Sequence, residues 1–256
     1  MLKQGRESTL SFNPEEYSTS LFLGADAPAQ LLAPGTGVAP DRLALRLEVM
    51  AASVARGFAH RGMDLVDDGD AIAASSQAIS AATSLICLVP PLAKAVDSLV
   101  RSVHILRSTD PNIDVSFSDP AIPFSIFLSV PKGIDADVRI AEAIVHEAMH
   151  LQLSLVEQAV PLVIDSGITR YSPWKQAQRP LSGVIHALYV FRVIDQWLAR
   201  ISSSTFGTPF VDRRRTQIAA EIEELDLTGC DSGFTSDGHG LLTRLLRTTD
   251  SSPQTC

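Results

Sequence analysis

The run from Val138 to Val160 constrains this chain more than any other stretch. It is apolar, rich in helix formers, and carries two histidines four residues apart. Within it, His146-Glu147-Ala148-Met149-His150 reads HExxH. Residues i and i+4 of an α-helix lie one above the other on a single face. One helix must therefore aim both imidazoles at one point, with Glu147 beside them. Two nitrogens and a neighbouring carboxylate suit a bound transition metal.

Length and charge narrow the setting for such a helix. The chain has 256 residues, enough for one large domain with a substantial core. We expect a single domain over residues 1–256, with a polar N-terminal arm over 1–24 and a metal-site core over 110–200. The net charge is -8. The one compact basic run, Arg213-Arg214-Arg215, is flanked by Asp212, Glu221, Glu223 and Glu224, which argues against nucleic acid as a partner. Cys87, Cys230 and Cys256 are far apart and odd in number, so neither a disulfide framework nor a cysteine zinc site follows. Met1 to Glu7 lacks the apolar core of a signal peptide, and no window approaches 18 uninterrupted apolar residues. The expectation is a cytoplasmic protein without a membrane span.

Periodicity and punctuation place the other elements. Ala25 to Pro40 is proline- and glycine-rich and reads as a loop. Asp41 is a candidate N-cap for a helix through Leu43, Leu45, Leu47 and Met50 to Phe58, with His60 at its end. An alanine-rich helix follows from Asp70 to the Pro90-Pro91 pair, and another is expected from Leu92 to about Leu106, carrying His104 as a core or flank histidine. Val115 to Ser118 and Phe124 to Val130 are rich in β-branched and aromatic residues and read as two short strands. Arg170 to Pro180 reads as a polar, aromatic loop, and Leu181 to Arg200 as a helix with His186, Tyr189, Val193 and Trp197 on one stripe. A charged helix over Val211 to Leu225, a turn-rich Gly229 to Gly240 with His239 exposed, and a short helix over Leu241 to Leu246 complete the chain. The expected class is α+β, predominantly helical, with a metallopeptidase-like (zincin-like) HExxH helix packed beside a small sheet.

Two histidines leave the third ligand open. A metzincin would need glycine and histidine where Leu153 and Val156 stand. A gluzincin would need a downstream glutamate, and none occurs between Glu157 and Glu221. His186, on the inner stripe of the next helix, is one candidate. Asp165 is the other, since two histidines and a carboxylate make the facial triad of non-haem iron oxygenases. Asp195 is offset from the His186 stripe. Between Ser166 and Ile194 there is no acidic residue, whereas Arg170, Lys175, Arg179 and Arg192 all fall there. That local cationic stretch invites an anion, such as a dicarboxylate cosubstrate or an acidic group of a peptide.

The motif, Tyr171-Ser172-Pro173-Trp174, and Arg179-Pro180-Leu181-Ser182-Gly183-Val184-Ile185-His186 with Tyr189-Val190-Phe191 together resemble one family. It is the HExxH-motif family of 2-oxoglutarate-dependent peptide β-hydroxylases that act on ribosomally made peptides, and the similarity runs over about Ser125 to Trp197. The resemblance implies iron(II) on His146, His150 and His186, with 2-oxoglutarate and dioxygen as cosubstrates and a precursor peptide as substrate. It further implies that Glu147 orients a ligand or water in place of acting as a hydrolytic base. A basic residue would hold the distal carboxylate of the cosubstrate, Arg179 first, with Arg170 and Arg192 behind it. Tyr171 and Trp174 would line the peptide cleft. Lys175 departs from the family, which often has arginine there, and its role is left unassigned. The alternatives are a zinc metallopeptidase with Glu147 as general base, and a non-catalytic peptide-binding protein.

Overall fold

The computed structural model describes residues 43–50, 52–59, 63–107, 113–119, 122, 124–164, 167–202 and 208–247. The expected N-terminal arm, the proline-rich loop, the Asp41 cap, His60 and Asp165 lie outside the described residues. Within them the chain is mixed α and β, mostly helical with a small sheet, as expected. No helix of the described residues is long and apolar enough to cross a membrane.

The elements, in order, are β1 (Arg46–Leu47), α1 (Ala52–Ala59), α2 (Gly69–Cys87), α3 (Pro90–Leu99), β2 (Ser102–Leu106), β3 (Ser116–Ser118) and β4 (Ser125–Ser129). They continue with α4 (Ala136–Ala159), β5 (Thr169–Ser172), β6 (Ala177–Pro180), α5 (Leu181–Ser202), α6 (Pro209–Glu223) and α7 (Ser236–Leu246). A 3-10 turn over Asp231–Gly233 precedes α7. One sheet runs β1-β2-β4-β3, with β1, β2 and β4 parallel and β3 antiparallel to β4 at the edge.

Side chains alternate across a strand, and here the alternation sorts the core into two. Val103, Ile105, Ile126 and Leu128 face the main core, which α2, α3, α4 and α5 fill. On the other face Leu106 and Phe127 join Phe58 and Leu65 in a smaller cluster. Phe117 of β3 stacks on Phe127 there, with centroids 4.2 Å apart. Ser116 and Ser118, one residue either side of Phe117, therefore point the opposite way, toward α4. His104 also falls on the small-cluster side, stacked on Phe127 and bonded through Nδ1 to the Glu48 carbonyl oxygen. That satisfies it as a core histidine on the face of the sheet turned away from α4.

Three expectations need correction. The helix proposed over Leu43 to Phe58 is instead an extended segment containing β1, followed by the short α1. The helix from Leu92 stops at Leu99, where Val100 turns extended (φ -122°, ψ 126°), and Ser102–Leu106 is the buried strand β2. Val100, Val103 and Ile105 are β-branched, and the sheet rewards them for pairing between β1 and β4. Arg170 to Pro180 is no loop but the antiparallel hairpin β5–β6, closed by a turn in which Gln176 adopts φ 47°. Pro90 and Pro91 do break the alanine-rich region, standing in the first turn of α3 where a missing N–H is harmless.

Helix α4 is the spine. Its 24 residues reach about 36 Å, and its central turns are buried on most sides by α2, α3, α5 and the sheet. α5 crosses it with Tyr189 donating to Gln152 Oε1 at 2.6 Å in the buried interior. Farther along α5, the indole of Trp197 donates to the Leu85 carbonyl at 3.3 Å, satisfying a carbonyl freed at the end of α2. After α4, Leu162 to Ile164 is held by the segment Gly233 to Thr235 through backbone bonds. Thr235 caps α7, which begins at Ser236, earlier than its apolar pattern suggests.

Candidate metal centre

The i, i+4 spacing sets His146 and His150 together on α4, with ring centroids 4.8 Å apart in an edge-on arrangement. Pro180 runs straight into α5, whose second turn carries His186 against the same face. Its ring stacks on His150 at 5.6 Å, and the two Nδ1 atoms approach to 3.4 Å. Two imidazoles bound to one metal at about 2.0–2.1 Å have their nitrogens roughly 3.0–3.4 Å apart, so this pair is spaced as shared ligands would be.

His186 has a further partner. Its Nε2 lies 2.7 Å from Glu157 Oε2. Glu157 follows His150 by seven residues, two turns of α4, which returns it to the histidine face. With the Nε2 proton given to Glu157, His186 presents a lone pair on Nδ1 toward His150. A carboxylate that fixes tautomer and ring orientation in this way is the usual support of a metal-bound histidine. If the histidines hold a metal, removing it in Glu157→Ala is expected to lower metal affinity about 10- to 100-fold, measured by competition with a chelator, with Glu157→Gln recovering part of the loss. Unchanged affinity in Glu157→Ala would detach Glu157 from the centre.

Charge state suits ligation as well. Burial, then His150 and the charges of Lys175 and Arg214, push His146 down to about 3. Burial, then His186 and Lys175, push His150 down to about 4. Both imidazoles are therefore neutral at pH 7, the form that binds metal. Among the described residues no three His, Cys, Asp or Glu side chains converge as a ready-made cage. What converges is the His150–His186 pair, with His146 one turn away touching His150.

Glu147 is buried, 3% exposed, and both carboxylate oxygens are taken up by the edge strand. Ser116 donates to Oε1 at 2.6 Å and Ser118 to Oε2 at 2.8 Å. Burial pushes this carboxyl up from the ordinary range, and the two serine hydroxyls pull it back. Oε1 also lies 4.0 Å from His146 Nε2. Glu147 thus ties the motif helix to β3 and sits against the first histidine.

The wall beside His146 is aromatic and cationic. Phe191 of α5 meets the His146 ring edge-on at 5.4 Å, and Trp174 stacks on Phe191 at 5.3 Å. The Arg214 guanidinium from α6 lies over Phe191 at 5.2 Å while its Nε donates to Glu142 at 2.7 Å.

The sequence candidates separate into two groups. His146 lies beside Glu147 and His150, His150 beside His186, and Trp174 reaches His146 through Phe191. The three arginines do not join them. Arg170 donates to the carbonyls of Thr169 and Thr228, tying the hairpin to the segment after α6. Arg179 is exposed on β6, and Arg192 donates to the Leu245 carbonyl at 2.6 Å, at the end of α7. Tyr171 is exposed on β5. Asp195 pairs with Arg215 at 3.0 Å. Sequence reasoning gives no site role to Glu157, Ser116, Ser118 and Arg214, and names Phe191 only within the resemblance and Lys175 only within the cationic stretch. Glu157 had a legible signal in its seven-residue offset from His150. No family model matches the chain, and no curated protein matches it.

Proposed function

We propose that the protein is an iron(II)/2-oxoglutarate-dependent oxygenase that β-hydroxylates a residue of a ribosomally made precursor peptide. The observation that carries this reading is the third histidine: His186 approaches His150 at ligand spacing and is oriented by Glu157. A bound iron(II) would be held by His146, His150 and His186 and would supply the oxidation of the cosubstrate and the peptide. The chain's own residues do the rest. Glu157 holds the His186 tautomer, Glu147 pins the motif helix to β3, and Phe191 with Trp174 walls the site with apolar surface beside His146. The motif helix lying against an antiparallel edge strand supports the zincin-like likeness. That edge offers backbone groups to which an extended peptide could add.

The rival zinc peptidase needs Glu147 as a base acting on metal-bound water. One pair of measurements separates the two. Purified anaerobically and given iron(II), 2-oxoglutarate and a candidate precursor peptide, the wild type is expected to form succinate and a peptide heavier by one oxygen. Glu147→Gln keeps an acceptor for one serine, so turnover is expected to stay within about fivefold of wild type, the cost of one weakened hydrogen bond. Loss of a general base would cost about 10²- to 10⁴-fold. Peptide cleavage with zinc, abolished in Glu147→Gln, would overturn the oxygenase reading. Peptide binding by a protein that takes up no metal would replace it with a non-catalytic binder.

A further inference from the structure

The three imidazoles are not held alike. His186 has its Nε2 on Glu157, and His150 faces the Nδ1 of His186. The ring of His146 has no hydrogen bond among the described residues, for Glu147 Oε1 lies 4.0 Å from its Nε2, beyond bonding range. A metal-binding histidine normally has its orientation fixed by such a bond. Packing must do that work here. Besides His150, the ring that His146 meets is Phe191, which is buried and lies edge-on to the imidazole at 5.4 Å and 67°.

Phe191 owes its own plane to two neighbours. Trp174 stacks on it at 5.3 Å with the planes 9° apart, and the Arg214 guanidinium lies over the ring at 5.2 Å. A cation is drawn to the face of an aromatic ring. Arg214 is itself anchored: its Nε donates to Glu142 Oε1 at 2.7 Å, and Glu221 Oε2 lies 3.9 Å from its Nη1. The Arg214 and Glu142 side chains are both largely buried. Glu142 precedes His146 by four residues, so it stands one turn away on the same face of α4. The contacts close a circuit, from His146 along α4 to Glu142, across to Arg214 on α6, through Phe191 on α5 and back to His146. A buried ion pair of this kind adds little net stability, because desolvation offsets the attraction. What it supplies here is geometry.

We infer that Arg214 is a positioning residue of the centre: clamped by Glu142, it sets the plane of Phe191, and Phe191 sets the ring of His146. This rests on the three-histidine reading above and brings α6, which carries none of the histidines, into the centre. Arg214 does for His146, at one remove, what Glu157 does for His186 directly. A guanidinium suits the task better than an ammonium, since one planar group must serve a carboxylate and an aromatic face together.

Cobalt(II), whose visible bands report the ligand geometry around it, is the probe, with affinity read by competition with a chelator. Glu142→Gln/Arg214→Met removes the pair together, so that no carboxylate is left buried alone. It is expected to shift the cobalt bands and to weaken binding about tenfold, as loss of a ligand's support does. Phe191→Leu is expected to do the same. The triple variant is expected to lose no more than the larger of the two, because both act through one ring. Arg214→Lys, which keeps a cation but not the planar group, is expected to fall between wild type and the double variant. Unchanged bands and affinity in the double variant, with only a lower melting temperature, overturn the inference and leave the three-histidine centre standing. Losses that add in the triple variant overturn it as well. Should the double variant not fold, Arg214→Lys and Phe191→Leu decide: a shift in both supports the inference, and wild-type bands in either overturn it. A wild type that binds no cobalt overturns the centre itself.

Discussion

Replacing His150 by alanine is expected to lower iron(II) affinity by more than about 100-fold, beyond the 10- to 100-fold cost of losing a residue that only supports a ligand. His150 is the middle of the three imidazoles. It meets the ring of His146 at 4.8 Å and faces the Nδ1 of His186 at 3.4 Å, so its loss separates the other two. The fold should survive. Alanine is the strongest helix former, and the neighbours that pack α4, Met149 and Leu151, are untouched. Metal content after anaerobic reconstitution and dialysis, read beside a thermal melt, is the measurement. His104→Ala is the control, because that histidine lies across the sheet against Phe127 and should change stability without changing metal. If His150→Ala retains stoichiometric iron, the three-histidine centre is wrong.

The largest effect on stability is expected at Gly238 of α7. This buried glycine sits in the first turn of α7, where an added Cβ would collide with the carbonyl oxygen of Leu162. The obstacle is backbone and cannot rotate away. That backbone is also clamped, since Thr235 N–H donates to Leu162 O at 3.1 Å and the Thr235 hydroxyl to Pro161 O at 2.7 Å. Gly238→Ala must therefore lift α7 off the exit of α4, and should cost about 3 kcal/mol, the upper end for overpacking. The effect should spread to Arg192, whose guanidinium rests on the Leu245 carbonyl at the far end of the same helix. Urea denaturation measures it. A loss below about 1 kcal/mol would mean that α7 shifts without penalty.

What the sequence showed, and what it hid, follows from how each element is stabilised. α4 and α5 carry long apolar stripes, and their predicted bounds fall within two residues of those observed at every end. β3 and β4 were legible because Val115-Ser116-Phe117-Ser118 and the run from Phe124 are β-branched and aromatic between prolines. β2 was hidden because Ser102–Leu106 follows α3 with only a two-residue break and is buried on both faces, a pattern that a helix shares. The hairpin was hidden for the opposite reason. Every residue of β6 is exposed, so there is no apolar alternation to read. The same blindness affected the centre. Local spacing brought out His146, Glu147 and His150, and the stripe on the next helix brought out His186. The partners Ser116 and Ser118 reach the motif only through strand pairing, which separation along the chain does not reveal.

Strand β6 stands apart from the scaffold in how much change it can absorb. Ala177, Gln178, Arg179 and Pro180 are all exposed, and surface substitutions of that kind usually alter stability by no more than about 0.5 kcal/mol. Helix α4 has no such latitude, since most of its central residues are committed to the core or the histidines. A lineage carrying this fold can therefore vary the outer strand of the hairpin freely while the helix that carries the histidines stays fixed. For a designer, the same asymmetry recommends randomising residues 177–179 and leaving 136–159 alone.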